Sequence, residues 1–461
     1  MDASAPGLTL RPAMHSPDQP TWDGALWIGE VRVDAVENAD RLSRMGVPVR
    51  CRLAGAQEYS RARLLVRADR RPLGFLEIGI SDSEVNFGEL RNRVTGVRAS
   101  ASTRDPFDGS GHLADEPGDS VSELDVSVSV VLCTRDRVSM LRTALESVLS
   151  VDYPYLEVLV VDNAAETTDT RDYVLGLQER RVRLIDEPRP GLSRARNAGL
   201  SAAAGDIVAF TDDDVVVDRY WLRALVDGFR RGRSVACVSG MVPAGEIRTP
   251  AQAYFDRRVG WSDSIQSRIF DWSHPPADVP LFPFAVRCYG TGANFAVDRE
   301  VVRRLGGFDE ALGAGAPTGG GEDIDMFFRI LRSGRQLVHD PAAIVWHRHR
   351  ADSAGLLVQS RGYGLGLGAW LAKMAGDPRM FWLAATTVAR RGPALVRHIR
   401  AASDQTAPPA HLAALLPSGT GSTTVRSIVK GPWAYRAARR EGRSPEPLCA
   451  NVPPYQPIGE P

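Results

Sequence analysis

Three consecutive carboxylates, Asp212, Asp213 and Asp214, follow the apolar run Asp206 to Phe210. The run reads as a strand, so the acids meet at its carboxyl end, the edge at which open α/β sheets bind ligands. Adjacent carboxylates repel unless a cation or solvent neutralises them, and oxygen ligation suits Mg or Mn rather than zinc. The chemistry within reach is a divalent cation held against a phosphate. For a lone acidic triplet the competing reading is a solvated turn, and the neighbouring motifs decide between the two.

Two further strand ends carry polar groups, Cys133-Thr134-Arg135-Asp136-Arg137 and Val161-Asp162-Asn163. A carboxylate there can accept from a base N–H or a ribose hydroxyl, and an arginine can face phosphate. The segment Gly191 to Gly199 reads as a helix with Ser193 as N-cap and Arg194 in its first turn, where a positive side chain favours an anion. In Gly319-Gly320-Gly321-Glu322-Asp323, glycines precede two acids at the start of an apolar helix. Acids at that point are ordinary helix stabilisers, yet a carboxylate on a glycine hinge can also act as general base towards a hydroxyl. Ile344 to His349 places His347 and His349 on one face of an extended segment, where one could complete a metal shell. Gly313 to Gly321 lacks the lysine of a phosphate loop, and Gly290-Thr291-Gly292 lacks the third glycine of a dinucleotide fingerprint. Both read as mobile or tightly turning backbone.

The elements that must position these groups follow from periodicity. From Val126, strands at Val126 to Cys133, Glu157 to Val161 and Val182 to Ile185 alternate with helices near Met140 to Leu149 and Ser193 to Ala203. The acidic-site strand, a helix from Arg219 to Arg230 and a strand from Val235 to Met241 continue the series, which predicts a parallel sheet with helical crossovers. Residues 1–98 read as a small α/β unit with strand-like runs Leu26 to Val33, Ala62 to Val66 and Leu73 to Ile80, and without evident chemistry. Residues 99–125, rich in Ser, Gly, Asp, Glu and Pro, read as a flexible acidic linker. The α/β layer spans residues 126–350, and residues 351–461 are expected to form a helical, basic C-terminal extension with Arg390, Arg391, Arg397 and Arg400 among apolar residues. That extension is either packed on the catalytic domain or laid on an anionic membrane surface.

At 461 residues two or three folded units are expected, and basic and acidic residues balance at 56 each, so nothing asks for a nucleic acid polymer. Cys51, Cys133, Cys237, Cys288 and Cys449 are scattered without a CxxC pair, which predicts a reducing compartment. The amino terminus has no leader pattern, and the apolar stretches Leu365 to Ala372 and Phe381 to Ala389 are too short to cross a bilayer. A cytoplasmic location is expected, with any membrane contact peripheral, at the inner face of the cytoplasmic membrane.

Taken in order, VSVVLCTRDR, VLVVDN, GLSRARNAGL, FTDDDV and GGGEDIDMFFRIL resemble the family 2 glycosyltransferases, the inverting group with the GT-A fold. The match covers roughly Val126 to Arg350, and GTGANFA and LGGFDE look like the family's acceptor-side segment. The resemblance implies a Rossmann-like α/β domain with a mostly parallel sheet. It implies that Thr134, Arg137 and Asp162, with Arg135 beside them, line the nucleoside pocket and that Arg194 supports the donor. Asp212 and Asp214 would be the DxD acids holding Mg or Mn against the diphosphate, with Asp213 as the alternative inner ligand. Asp323 would be the catalytic base and Glu322 would orient it or contact the acceptor. His347 would be the late metal ligand, with His349 competing. The implied donor is a nucleotide sugar, UDP-linked by default, and the acceptor a glycan or lipid-linked hydroxyl in cell-envelope polysaccharide, glycolipid or other glycoconjugate synthesis. A sugar nucleotidyltransferase fits less well, because TRDRVSM lacks a glycine-rich basic run. A non-catalytic scaffold or partner protein is opposed by the intact acids.

Overall fold

Runs of β-branched residues and leucine form the strands, and the computed structural model describes residues 7–102, 126–417 and 419–441, without the side chains of 102 and 398–406. Cys449 and the side chain of Arg400 lie outside the described residues, and Cys51, Cys133, Cys237 and Cys288 are free thiols. The first unit runs β1 (Gly7–Leu10), β2 (Trp27–Arg32), α1 (Val33–Arg44), β3 (Arg50–Leu53), β4 (Arg61–Ala68), β5 (Arg71–Gly79), β6 (Glu84–Val85) and α2 (Phe87–Ser102). It holds two three-stranded sheets, β1-β3-β6 and β2-β4-β5, around a core that includes Trp27, Val31, Leu64 and Leu90. Residues 99–102 continue α2 and are helix rather than linker, because the run of Ala and Ser there favours helix as readily as coil. Residues 103–125 lie outside the described residues.

The next part contains β7 (Val128–Thr134), α3 (Val138–Leu149), β8 (Leu156–Asn163), α4 (Asp169–Gly176), β9 (Val182–Glu187), α5 (Leu192–Ala202), β10 (Ile207–Asp212) and β11 (Val215–Val217). It continues through α6 (Trp221–Phe229), β12 (Val235–Met241), α7 (Pro250–Val259), β13 (Arg268–Phe270), β14 (Asn294–Asp298), α8 (Arg299–Arg304), α9 (Glu322–Arg332) and β15 (Gln336–His347). One nine-stranded sheet results, ordered β11-β15-β12-β14-β10-β7-β8-β9, with β13 pairing β15. The strands β7, β8, β9 and β10 run parallel, as do β12 and β15, while β14 runs antiparallel between β10 and β12. This is the mostly parallel α/β layer that the resemblance implied. Both faces are covered, so the strands read as continuous apolar runs. Within β7, Val131 and Cys133 enter the core on one face, and Val128, Val130 and Leu132 enter the core on the other. The register sets Asp212 beside Cys133 and Thr134 beside Asp162, which lines up three carboxyl ends.

The chain ends in α10 (Ser353–Gly376), α11 (Pro378–Thr406), α12 (Ala410–Ala413) and α13 (Thr420–Arg440). Trp370 and Met374 of α10 join the core of the nine-stranded layer, and Lys373 forms buried ion pairs with Asp309 at 2.7 Å and Asp325 at 2.8 Å. Glycines let α10 approach α13 backbone to backbone: a Cβ added at Gly368 would sit 2.0 Å from the Ile428 carbonyl. On the same helix a Cβ at Gly366 would sit 2.4 Å from Gly320, so the glycine turn ahead of α9 rests on α10. No helix among the described residues is long and apolar enough to cross a membrane.

Gly368→Ala forces these backbones apart and is expected to lower stability by about 1–3 kcal/mol in urea denaturation, the usual range for overpacking. Gly376, where an added Cβ meets nothing, is the control: Ala there is expected to be neutral or stabilising by up to about 1 kcal/mol.

Candidate active site

The acidic triplet leaves β10 where the strand pairs with β7, and its three side chains diverge. Asp213 turns towards β7: Thr134 Oγ1 donates to it at 2.7 Å and Arg137 Nη1 at 2.5 Å. Arg137 also donates to Asp214, at 2.9 Å. Asp212 and Asp214 instead converge with His347 at the end of β15, their ligand atoms lying within 4.8 Å of one another. His347 Nε2 is 3.2 Å from Asp214 Oδ1, and Arg350 approaches the same carboxylate at 3.5 Å. Two carboxylates and an imidazole form a donor set that fits Mn or Mg. The grouping places Asp213 outside this set, and places His347 rather than His349 within it.

Burial sets the electrostatics. It pushes Asp212 up, with Arg196 pulling back, and together with Asp214 it raises Asp213 to about 7 against Arg137. Burial acts the same way on Asp214, but His347, Arg137 and Arg350 outweigh it and hold that carboxyl well below its ordinary range. A cation sharing this site therefore meets at least one fully ionised ligand.

Across the site, Gly321 at φ +94° turns the chain into α9 and presents Glu322 and Asp323 in its first turn. Asp323 Oδ2 accepts from the Gly292 N–H at 2.9 Å and Oδ1 from the Ile324 N–H at 2.8 Å, which fixes the carboxylate's orientation. Arg196 links the two halves. Only 2% exposed, it donates to Glu322 at 2.9 Å, to the Gly292 carbonyl at 2.9 Å and to Asp212 at 3.5 Å. Burial and Asp323 push the Glu322 carboxyl up to about 7, with Arg196 opposing. The glycine turn itself is tied down: Gly313 N–H donates to the Gly320 carbonyl at 3.1 Å, and Leu192 N–H to the Ala314 carbonyl at 2.8 Å.

Several expected residues lie elsewhere. Arg194, expected at the donor, pairs with Glu310 at 2.9 Å, and the arginine beside the acids is Arg196. The buried phase of α5 runs through Ser193, Ala195, Arg196, Gly199 and Leu200, so helical period would have singled out Arg196 and passed over Arg194. Ser193 is not the N-cap, which is Gly191; its hydroxyl donates to the Leu312 carbonyl at 2.7 Å. Arg135 turns outward to Glu166 at 2.8 Å, because the turn after β7 points successive side chains apart. Asp162 is buried beside Thr134 with Oδ1 left without a hydrogen-bond partner, and burial together with Asp136 pushes its carboxyl up. An orphaned acceptor at that edge suits a base N–H or ribose hydroxyl.

Arg196→Met leaves Glu322 and Asp212 without their buried counter-charge and is expected to destabilise the chain by about 3–5 kcal/mol in urea unfolding. Arg194→Ala, which breaks a part-buried charged hydrogen bond to Glu310, is expected to lose less, about 1–3 kcal/mol.

Residues 129–305 match the model of glycosyl transferase family 2. The pre-mycofactocin glycosyltransferase of Mycobacterium tuberculosis is 27% identical over 238 residues, 51% of this chain and 46% of that protein. The chain thus spans about half the length of that relative. The glucosyl-dolichyl phosphate glucuronosyltransferase of Haloferax volcanii is 27% identical over 269 residues, 56% of this chain and 82% of that protein. Among solved structures, the mannosyltransferase PcManGT from Pyrobaculum calidifontis, in complex with GDP-Man and Mn2+, is similar at a TM-score of 0.45 and 20% identity, covering 73% of this chain and 93% of that one. The part of the chain that holds the acidic triplet and the sheet strands around it is therefore similar to glycosyl transferase family 2, whose model matches residues 129–305.

Proposed function

We propose that the protein is a metal-dependent inverting glycosyltransferase that moves a sugar from a nucleotide sugar to an acceptor hydroxyl. The observation that carries this reading is the placement of the Asp212, Asp214 and His347 cluster and of Glu322, next to Asp323, on either side of one buried arginine, Arg196. Asp212, Asp214 and His347 would hold Mg or Mn, which when bound neutralises the charge of the departing diphosphate. Thr134, Arg137 and Asp162 serve the nucleoside side. Asp323, aimed by the Gly292 and Ile324 amides, takes the proton of the acceptor hydroxyl as its oxygen bonds to the anomeric carbon and the bond to the diphosphate breaks. Glu322 and Arg196 hold that carboxylate's helix end in place. Gly290 and Thr291 line a cavity of about 200 Å³ with Trp261 and Arg287, which would be a place for part of the acceptor. UDP is the default nucleotide.

The acceptor reading is a lipid-linked or envelope glycan reached from the cytoplasmic face of the membrane, and α13 supports it. Val425, Val429 and Trp433 recur every fourth residue and are exposed, Trp433 by 64%, beside Arg426, Lys430 and Arg436. The helix contains no acidic residue, and Phe381 and Trp382 of α11 are likewise exposed. Exposed aromatic and apolar groups among basic ones suit an anionic bilayer surface. The name of the Haloferax relative, which carries a dolichyl phosphate, is in keeping.

Asp323→Asn is expected to reduce transfer by about 10²- to 10⁴-fold while nucleotide binding persists; calorimetry with UDP, GDP, dTDP and CMP, with and without Mn2+, supplies the binding arm. Full transfer by this variant removes Asp323 from the role, and no nucleotide binding by the parent favours the scaffold reading. On the membrane side, the double variant Val429→Ser, Trp433→Ser is expected to lower sedimentation with phosphatidylglycerol vesicles severalfold, and equal sedimentation argues for a tail that only packs.

A further inference from the structure

The N-terminal unit meets the catalytic layer at the strand that carries His347. Leu26, Ile28 and Leu65 share one buried cluster with Met241, Ile344 and Trp346, so the unit packs on the last turns of β15. A polar relay crosses the same boundary. Arg63 of β4 donates from Nη1 to Asp256 Oδ2 on α7 at 2.7 Å. Asp256 Oδ1 lies 3.6 Å from His349 Nε2, an electrostatic contact longer than a hydrogen bond. His349 Nδ1 in turn lies 3.0 Å from His347 Nδ1. Phe255 and Trp261 set edges against the rings, at 4.8 Å from His349 and 5.7 Å from His347 between centroids.

Two imidazoles joined Nδ1 to Nδ1 hold one proton between them, so one ring donates and the other accepts. The Asp256 carboxylate faces Nε2 of His349 across 3.6 Å, an electrostatic contact that orients the ring while Nε2 itself has no hydrogen-bond partner. The 3.0 Å contact to His349 fixes the ring of His347 and directs its Nε2 at Asp214, inside the candidate cation site. Arg63 supplies the counter-charge that lets a buried Asp256 remain anionic.

We propose that Arg63, Asp256 and His349 are positioning residues that hold the orientation of His347, and that the N-terminal unit acts as a buttress for the metal-binding end of β15. The inference rests on reading Asp212, Asp214 and His347 as the divalent-cation site.

The test is Mn2+ binding to the full chain by calorimetry and electron paramagnetic resonance, without sugar nucleotide, so that affinity rather than turnover is read. Asp256→Asn and His349→Phe are expected to weaken Mn2+ by about 10- to 100-fold, the range for losing an outer-shell partner of a metal-bound histidine. Asp256→Glu is expected to recover part of the loss, and the spin-echo modulation from a coordinated imidazole nitrogen is expected to fade in Asp256→Asn. Arg63→Gln is expected to show a smaller loss in the same direction, and as a partly exposed position it supplies the result if a buried variant does not fold. Parent-like Mn2+ affinity in Asp256→Asn and Arg63→Gln, alongside loss in His347→Ala, overturns the relay and leaves the metal site standing. A parent chain that binds no Mn2+ overturns the metal site itself and the relay with it.

Discussion

Three carboxylates on consecutive residues at a buried strand end are the constraint around which this domain is arranged. Taking even one carboxylate out of water has a penalty of several kcal/mol unless a counter-charge and hydrogen bonds replace the lost hydration. No single neighbouring element can serve all three, because successive side chains leave β10 in different directions. The structure answers with partners from four places: Arg137 after β7, Arg196 on α5, His347 at the end of β15, and Arg350 just beyond it. The sheet order puts β7, β14 and β15 around β10 and β11, which brings those partners within reach.

The opposite wall of the site depends on a different kind of contact. Glu322 and Asp323 start a helix whose preceding turn is glycine, and that turn rests on the glycines of α10. Close backbone approach replaces side-chain packing there, so the turn is held although it has few side chains of its own. Farther along α9, Asp325 is buried between Lys373 and Arg329, which locks the helix to α10 by charge as well as by shape. The C-terminal helices are in this sense part of the frame of the site, even as α13 leaves an apolar and basic face outward.

The N-terminal unit bears on the third wall. It packs on β15 through aliphatic residues and reaches α7 through Arg63, while Arg67 of β4 makes a second ion pair to Asp218 at 2.6 Å. A buried pair is a poor source of stability but a good source of register, because a misplaced partner leaves a charge unpaired. The buried Arg67–Asp218 pair and the partly buried Arg63–Asp256 pair together fix how the unit sits against the strand that ends in His347.

Much of this was legible in the amino-acid sequence. Alternating apolar runs and helical periods determine the parallel layer, because strands buried on both faces must be apolar throughout. The acidic triplet, the Glu322-Asp323 pair after its glycines, and the strand-end Thr134 and Asp162 are local patterns, and their places at strand and helix ends follow from the elements they terminate. Only the tertiary structure decided which side chains meet. Arg194 and Arg196 are two residues apart on one helix, and rotation of α5 against the sheet sends one to Glu310 and the other to the acids. Asp213 is drawn away by Thr134 and Arg137, 79 and 76 residues distant in the chain, leaving Asp212 and Asp214 to His347. His347 and His349 share one face of an extended segment, and what separates them is Asp256 on α7 and Arg63 in another unit. Local pattern specifies where chemistry can be placed, whereas charge pairing between distant segments is a property of their packing and has no local signature.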